Sequence, residues 1–153
     1  MATYGHQLPG PSVGQTKVVA KDILANGATG VVEITQPKNT IIEAVYVRIL
    51  DDITVASAVD IAFQMGTTNS NSTIVAASAA AILDGSDATT VKANNVFKFS
   101  TVAGTAGPST AGVTNGDGSF VTDDRTLHAQ FTVGAANVTA QGGIEVSCIF
   151  RTF

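Results

Sequence analysis

The chain has one cysteine, Cys148, no tryptophan and two tyrosines in 153 residues. A single cysteine cannot close an internal disulfide, so nothing in the sequence asks for an oxidising compartment. Charge is scarce too. Only 13% of residues are charged, about half the roughly 25% usual in globular proteins. Eight lysines and arginines, none in a run, stand against twelve acidic residues, for a net charge of −4. A nucleic-acid binder needs a basic footprint to neutralise phosphates, and a protein that adsorbs to acidic membranes needs one as well, so neither class fits. No apolar run reaches membrane-spanning length. The opening MATYGHQLPGPSVGQ has neither the basic start nor the apolar run of a signal peptide, which predicts a cytoplasmic product that is not secreted.

Leucine is the last scarcity, and it points to the fold. Leucine occurs 5 times, whereas valine, isoleucine and threonine together occur 49 times. β-branched side chains suit a pleated, half-buried surface and are mediocre in helices. Mean hydropathy is +0.28, high for a chain with so few charges. A domain of ~150 residues buries roughly 70% of its unfolded surface and still leaves much outside, so partner subunits are expected to cover part of it.

Residues 1–15 carry Gly5, Pro9, Gly10, Pro11 and Gly14. Such a segment is neither helix nor central strand and is expected to be an extended arm, either a loose terminus or one that orders on a neighbouring subunit. Residues 16–153 form one domain. TKVVAKDI (16–23) and VVEIT (31–35) resemble a hairpin around LANGATG. In NTIIEAVYVRILD (39–51), Ile41, Val45, Val47 and Ile49 share one face, and Ile42, Ala44, Tyr46, Arg48 and Leu50 share the other. Both are largely apolar, which predicts a central strand covered on both sides. AVDIAFQM (58–65) alternates cleanly. IVAASAAAILDG (74–85) is alanine-rich and glycine-closed, so one short helix is expected near 74–84. VFKFST (96–101) is a strand with Phe97 and Phe99 inward. The glycine-rich stretch 103–119 is a long exposed loop. RTLHAQFTV (125–133) and GIEVSCIFR (143–151) are alternating strands of one sheet. The sum is seven or eight short strands without a βαβ rhythm: an all-β, antiparallel, jelly-roll-like sandwich.

The one constellation with catalytic potential is Asp123, Asp124, His128 and Cys148. Side chains in a strand alternate with period 2. Leu127, Ala129, Phe131 and Val133 mark the core face of one strand, which turns His128 outward. Ile144, Val146, Cys148 and Phe150 mark the core face of the other, which turns Cys148 inward. A nucleophile and its base need roughly 2.6–3.2 Å between them, and opposed faces forbid it. Asp123 and Asp124 then serve as turn residues. Asp84, Asp87 and Asp117 lack the full calcium-loop pattern, and His6 and His128 have no zinc spacing. No catalytic, cofactor or metal site is expected, and no small-molecule substrate. A sugar-binding role for the 103–119 loop wants exposed aromatics, of which only Tyr4 and Tyr46 are candidates.

The order of NTIIEAVYVRI, VDIAFQMGTT, an ILDG segment and DDRTLHAQFTVGAANVTAQGGIEVSCIFR resembles small virion proteins of tailed bacteriophages, especially cyanobacterial and marine phages. The resemblance covers most of residues 16–151 and leaves the arm outside. Where such proteins often carry tyrosine after the RTL string, this chain has His128. The resemblance implies a head decoration or cement protein on the outer capsid surface, made in the host cytoplasm. It implies a homo-oligomer, in the manner of trimers, that braces major capsid subunits. A tail, neck or fibre-base component is the alternative. The contact residues expected are Tyr4, His6, Leu8, Pro9 and Pro11 of the arm, with His128 at a subunit boundary.

Overall fold

The computed structural model describes residues 13–21, 24, 29–55, 59–69, 72, 74–101, 121–134 and 138–152. In chain order the strands are β1 (Val13–Lys21), β2 (Thr29–Gln36), β3 (Thr40–Ile49), β4 (Ile53–Val55), β5 (Ile61–Gly66), β6 (Val75–Leu83), β7 (Thr90–Val91), β8 (Val96–Phe99), β9 (Arg125–Val133), β10 (Val138–Ala140) and β11 (Gly143–Thr152). Eight of them make two four-stranded antiparallel sheets, ordered β1-β11-β3-β8 and β2-β9-β5-β6, and β10-β4-β7 form a small third sheet. The small sheet sits at one end of the sandwich, because β4 follows the end of β3 and β10 precedes the start of β11.

Alternation builds the core. Leu127, Ala129, Phe131 and Val133 of β9 face Ile144, Val146, Cys148 and Phe150 of β11 across the interior, and all eight are buried. Phe63 of β5 touches Phe131 in its own sheet and Phe99 in the other, so one apolar cluster joins both sheets. The result is the antiparallel sandwich that the residue pattern predicts.

Four expectations need correction. The helix near 74–84 is instead the edge strand β6. Its large apolar residues, Ile74, Val75, Ile82 and Leu83, are buried at its two ends, with no 3.6-residue stripe between them. A helix that short is marginal alone, whereas β5 offers an edge to pair with. The pairing is irregular: Leu83, Ser78 and Val75 stand opposite Ile61, Phe63 and Met65. The strand 39–51 is central but is not covered on both sides. Ile149 pairs with Ala44 and Phe150 with Ile42, so Glu43 is an extra residue on β3. This bulge switches the parity. Ile42 joins Val45, Val47 and Ile49 in the core, and Ile41 joins Tyr46 and Arg48 outside.

The segments 16–23 and 31–35 are not a hairpin. β1 pairs with β11 and β2 with β9, on different sheets. Likewise β9 and β11 belong to different sheets. Local spacing cannot reveal a chain that crosses between sheets, because partners are chosen by long-range packing.

The crossover from β2 to β3 is fixed by a buried polar corner. Gln36 is fully buried. Its Nε2 donates to the Thr40 carbonyl at 3.1 Å, and its Oε1 accepts from Arg125 Nε at 3.1 Å and Nη2 at 2.6 Å. Buried amides require such partners. Asn94, beside Ile49 at the far end of β3, holds a positive φ of 69°, and Asn39, in the turn next to the corner, one of 58°, which asparagine tolerates. At the opposite end Gly142 has φ 62°, and a Cβ there would run into the Asp51 carbonyl.

Candidate interaction surface

The outer face of the β1-β11-β3-β8 sheet is built by parity. Val13, Gln15, Lys17 and Val19 of β1 point out while Val18 and Ala20 pack inward. Strand pairing then lays cross-strand rows. Val19, Glu145, Arg48 and Val96 form one, and Lys17, Ser147, Tyr46 and Lys98 form the next. Between these rows and Ile149 lies a shallow depression of about 330 Å³, lined by Gln15, Tyr46, Arg48, Val96, Glu145, Ser147 and Ile149. Val13, Val19 and Val96 are 58%, 54% and 57% exposed. Three of the four large apolar side chains left in solvent among the described residues thus share one face; the fourth, Val31, is on the other sheet.

Charge is concentrated on the same face. It carries Lys17, Arg48, Lys98 and Arg151, half of the chain's eight cations, and two of its twelve carboxylates, Glu43 and Glu145. Arg151 is paired with Glu43, and Lys17 lies 3.8 Å from Glu145. Lys98 sits 5.9 Å above the Tyr46 ring, and Arg48 donates to Asn94 at 3.3 Å. The face is apolar and locally cationic on a chain that is acidic overall.

The end capped by the small sheet has the opposite character. Asp51, Asp52, Asp84 and Asp87 are exposed there and Asp60 is partly covered. The carboxyl of Asp52 is held below its ordinary range by hydrogen bonds from Lys92 and the Ala93 amide. That of Asp84 is lowered by the hydroxyl and amide of Ser86. Among the described residues no cluster of three or more histidine, cysteine or acidic side chains is arranged to hold a metal.

The expected contact residues divide. Tyr4, His6, Leu8, Pro9 and Pro11 lie outside the described residues, as does the whole of the 103–119 loop with Asp117. His128 points away from the core. It is half-buried on the outer face of the second sheet, with Nδ1 3.7 Å from Glu33 Oε1 and no hydrogen-bond partner. Cys148 faces the interior of the opposite sheet, and burial pushes its thiol up to about 12. The pair is therefore kept apart by the β9 sheet itself and not merely by opposite faces of one sheet. Asp124 accepts the Lys38 amide at 2.8 Å and so ties two loops together. The valine-rich outer face was missed in the sequence because attention to acid–base groups passes over valines at polar parity. The signal was present in Val13 and Val19, which alternate with Gln15 and Lys17.

Two solved structures share this fold. A chain of the capsid asymmetric unit of cyanophage Pam1 aligns with 100% of this chain and 93% of its own length, at 17% identity and a TM-score of 0.50. A chain of the capsid of Ralstonia phage GP4 aligns with 100% of this chain and 91% of its own length, at 14% identity and a TM-score of 0.52. At such identities the likeness is one of fold. No protein-family model and no curated protein sequence matches the chain.

Proposed function

We propose that this chain is a non-enzymatic structural protein of a bacteriophage virion, a head decoration or cement protein that oligomerises and binds major capsid subunits on the outer shell. The observation that carries this reading is the end-to-end likeness of fold to chains taken from two phage capsids. The aligned chains are about as long as this one, so the likeness is to a small capsid component and not to a domain of a long shell protein. The physical character of the chain is consistent with binding as its whole task. Its thiol is buried, His128 faces elsewhere, and three of the four exposed valines among the described residues lie on one face. Individually modest contacts, multiplied by linking subunits across a lattice, give stability through avidity.

The test adds purified protein to expanded heads that lack it. Saturable binding in hundreds of copies per head, with a raised disruption temperature, is the expected result. Absence of both binding and stabilisation overturns the proposal, and binding of six to a few dozen copies moves the protein to a tail or neck position.

A further inference from the structure

We propose that the outer face of the β1-β11-β3-β8 sheet is the docking surface for a second copy of this chain, and that the copy presents its acidic, small-sheet end. This deepens the oligomeric part of the reading above and rests on it. Three observations lead here. Val13 and Val19 on edge strand β1 and Val96 on edge strand β8, each more than half exposed, flank a depression whose lining includes Tyr46 and Ile149. Apolar side chains assembled in this way mark an interaction site. The face also has four cations to two carboxylates, whereas the small-sheet end has Asp51, Asp52, Asp60, Asp84 and Asp87 against Lys92 and Lys21, the last residue of β1, which pairs with Gly143 there. The chain therefore carries both halves of a complementary pair. Finally, the face has the right extent. Four strands about 4.8 Å apart and up to about ten residues long, at ~3.4 Å per residue, cover roughly 600 Å², close to the ~800 Å² per partner of a standard interface.

Face and end are different surfaces of one molecule, so the contact is heterologous, head to tail, and closes into a ring or extends. Complementary charge sets the register while Tyr46 and Ile149 supply the apolar centre and the edge-strand valines its flanks. Arg48 and Lys98, at the rim of the depression, are the side chains placed to meet the partner's carboxylates.

The test is sedimentation velocity on the full chain, with melting temperature as a check on folding. Wild type should self-associate, and added salt should weaken it. Arg48→Glu with Lys98→Glu should weaken association about 100-fold and leave the melting temperature unchanged when both proteins are melted at a concentration where wild type is monomeric. Asp51→Lys with Asp87→Lys on the opposite surface should do the same. An equimolar mixture of the two variants should associate again, since an acidic face then meets a basic end and a basic face an acidic end. A monomeric wild type overturns the proposal, even if the monomer binds heads through this face. An end-reversed variant that still associates alone also overturns it, because the contact would then be face to face. The head-binding assay is run separately, so loss of self-association and loss of virion binding are read independently.

Discussion

The rings of Phe63 and Phe99 lie 4.5 Å apart, centroid to centroid, although β5 and β8 belong to opposite sheets. Phe63 also stacks at 4.9 Å on Phe131 beside it. One side chain thus ties its neighbour in the same sheet to the edge strand of the other. Tilted aromatic pairs of this kind add about 0.5–1.5 kcal/mol beyond the area they bury.

Replacing Phe63 by alanine should therefore cost about 3–5 kcal/mol, measured by denaturant unfolding. Phe99 is only partly buried, and its alanine variant should lose distinctly less. Equal losses at the two positions would show that the inter-sheet contact is not centred on Phe63.

Cys148 should give the alkaline limb of stability a recognisable component. The thiol's ordinary value is 9.0 and burial raises it to about 12 in the fold. The unfolded chain loses this proton first as pH rises, so the contribution is complete below pH 9 and declines between about 9 and 12. The slope approaches 1.4 kcal/mol per pH unit. Unfolding of wild type and Cys148→Ala across this range should give a difference with that slope, and a constant difference refutes it. At pH 8 a thiol reagent should label the protein no faster than it unfolds.

Gln36 and Arg125 form a second coupled pair. Each single alanine variant should lose about 1–3 kcal/mol, because it removes the charge-assisted hydrogen bonds between Arg125 and the buried Gln36 amide. The double alanine variant should lose less than the two single losses combined, the signature of direct coupling in a mutant cycle. Strict additivity would show that each residue acts through other contacts.

Much of this fold is written in side-chain parity. In β9 and β11, Leu127 to Val133 and Ile144 to Phe150 alternate strictly, so the inward Cys148 and outward His128 were readable from sequence alone. Parity fails where the backbone departs from period 2, as at the Glu43 bulge. It also says nothing about which strands pair: β1 and β2 are consecutive in the chain yet join different sheets. In β6 the alanines' helix preference yields to the open edge of β5. The outer valine face was legible only in part, because Val19 and Val96 come to stand at the two ends of one row through β11 and β3, which no local pattern reveals.

Asp84 should register at acid pH. Its carboxylate is stabilised by Ser86 and its titration is displaced downward. The stabilisation is present above the ordinary carboxylate range and is lost as pH falls through the depressed value. Asp84→Asn keeps the side-chain acceptor but removes the titration, so its acid unfolding limb should be shallower than that of wild type. Identical limbs would show that other carboxylates govern the response.

The bulge at Glu43 makes the strictest demand on the register. At present Ile42 points inward, Glu43 is extra, Ala44 points outward and Val45 points inward. Removing Glu43 leaves Ile42, Ala44 and Val45 in perfect alternation, so every core side chain keeps its face. What is lost is the partner of Arg151, an exposed ion pair of the kind worth about 0–1 kcal/mol. Deleting Tyr46, three residues later, has the opposite effect. Within the regular ladder a one-residue deletion sends everything on one side of it to the wrong face, exchanging Val47 and Ile49 for Arg48 and Leu50 in the core. The chain lacking Glu43 should fold with stability within about 1–2 kcal/mol of wild type, and the chain lacking Tyr46 should not fold. If removal of Glu43 is as damaging as removal of Tyr46, the extra residue is not a bulge and the parity switch in β3 has another cause.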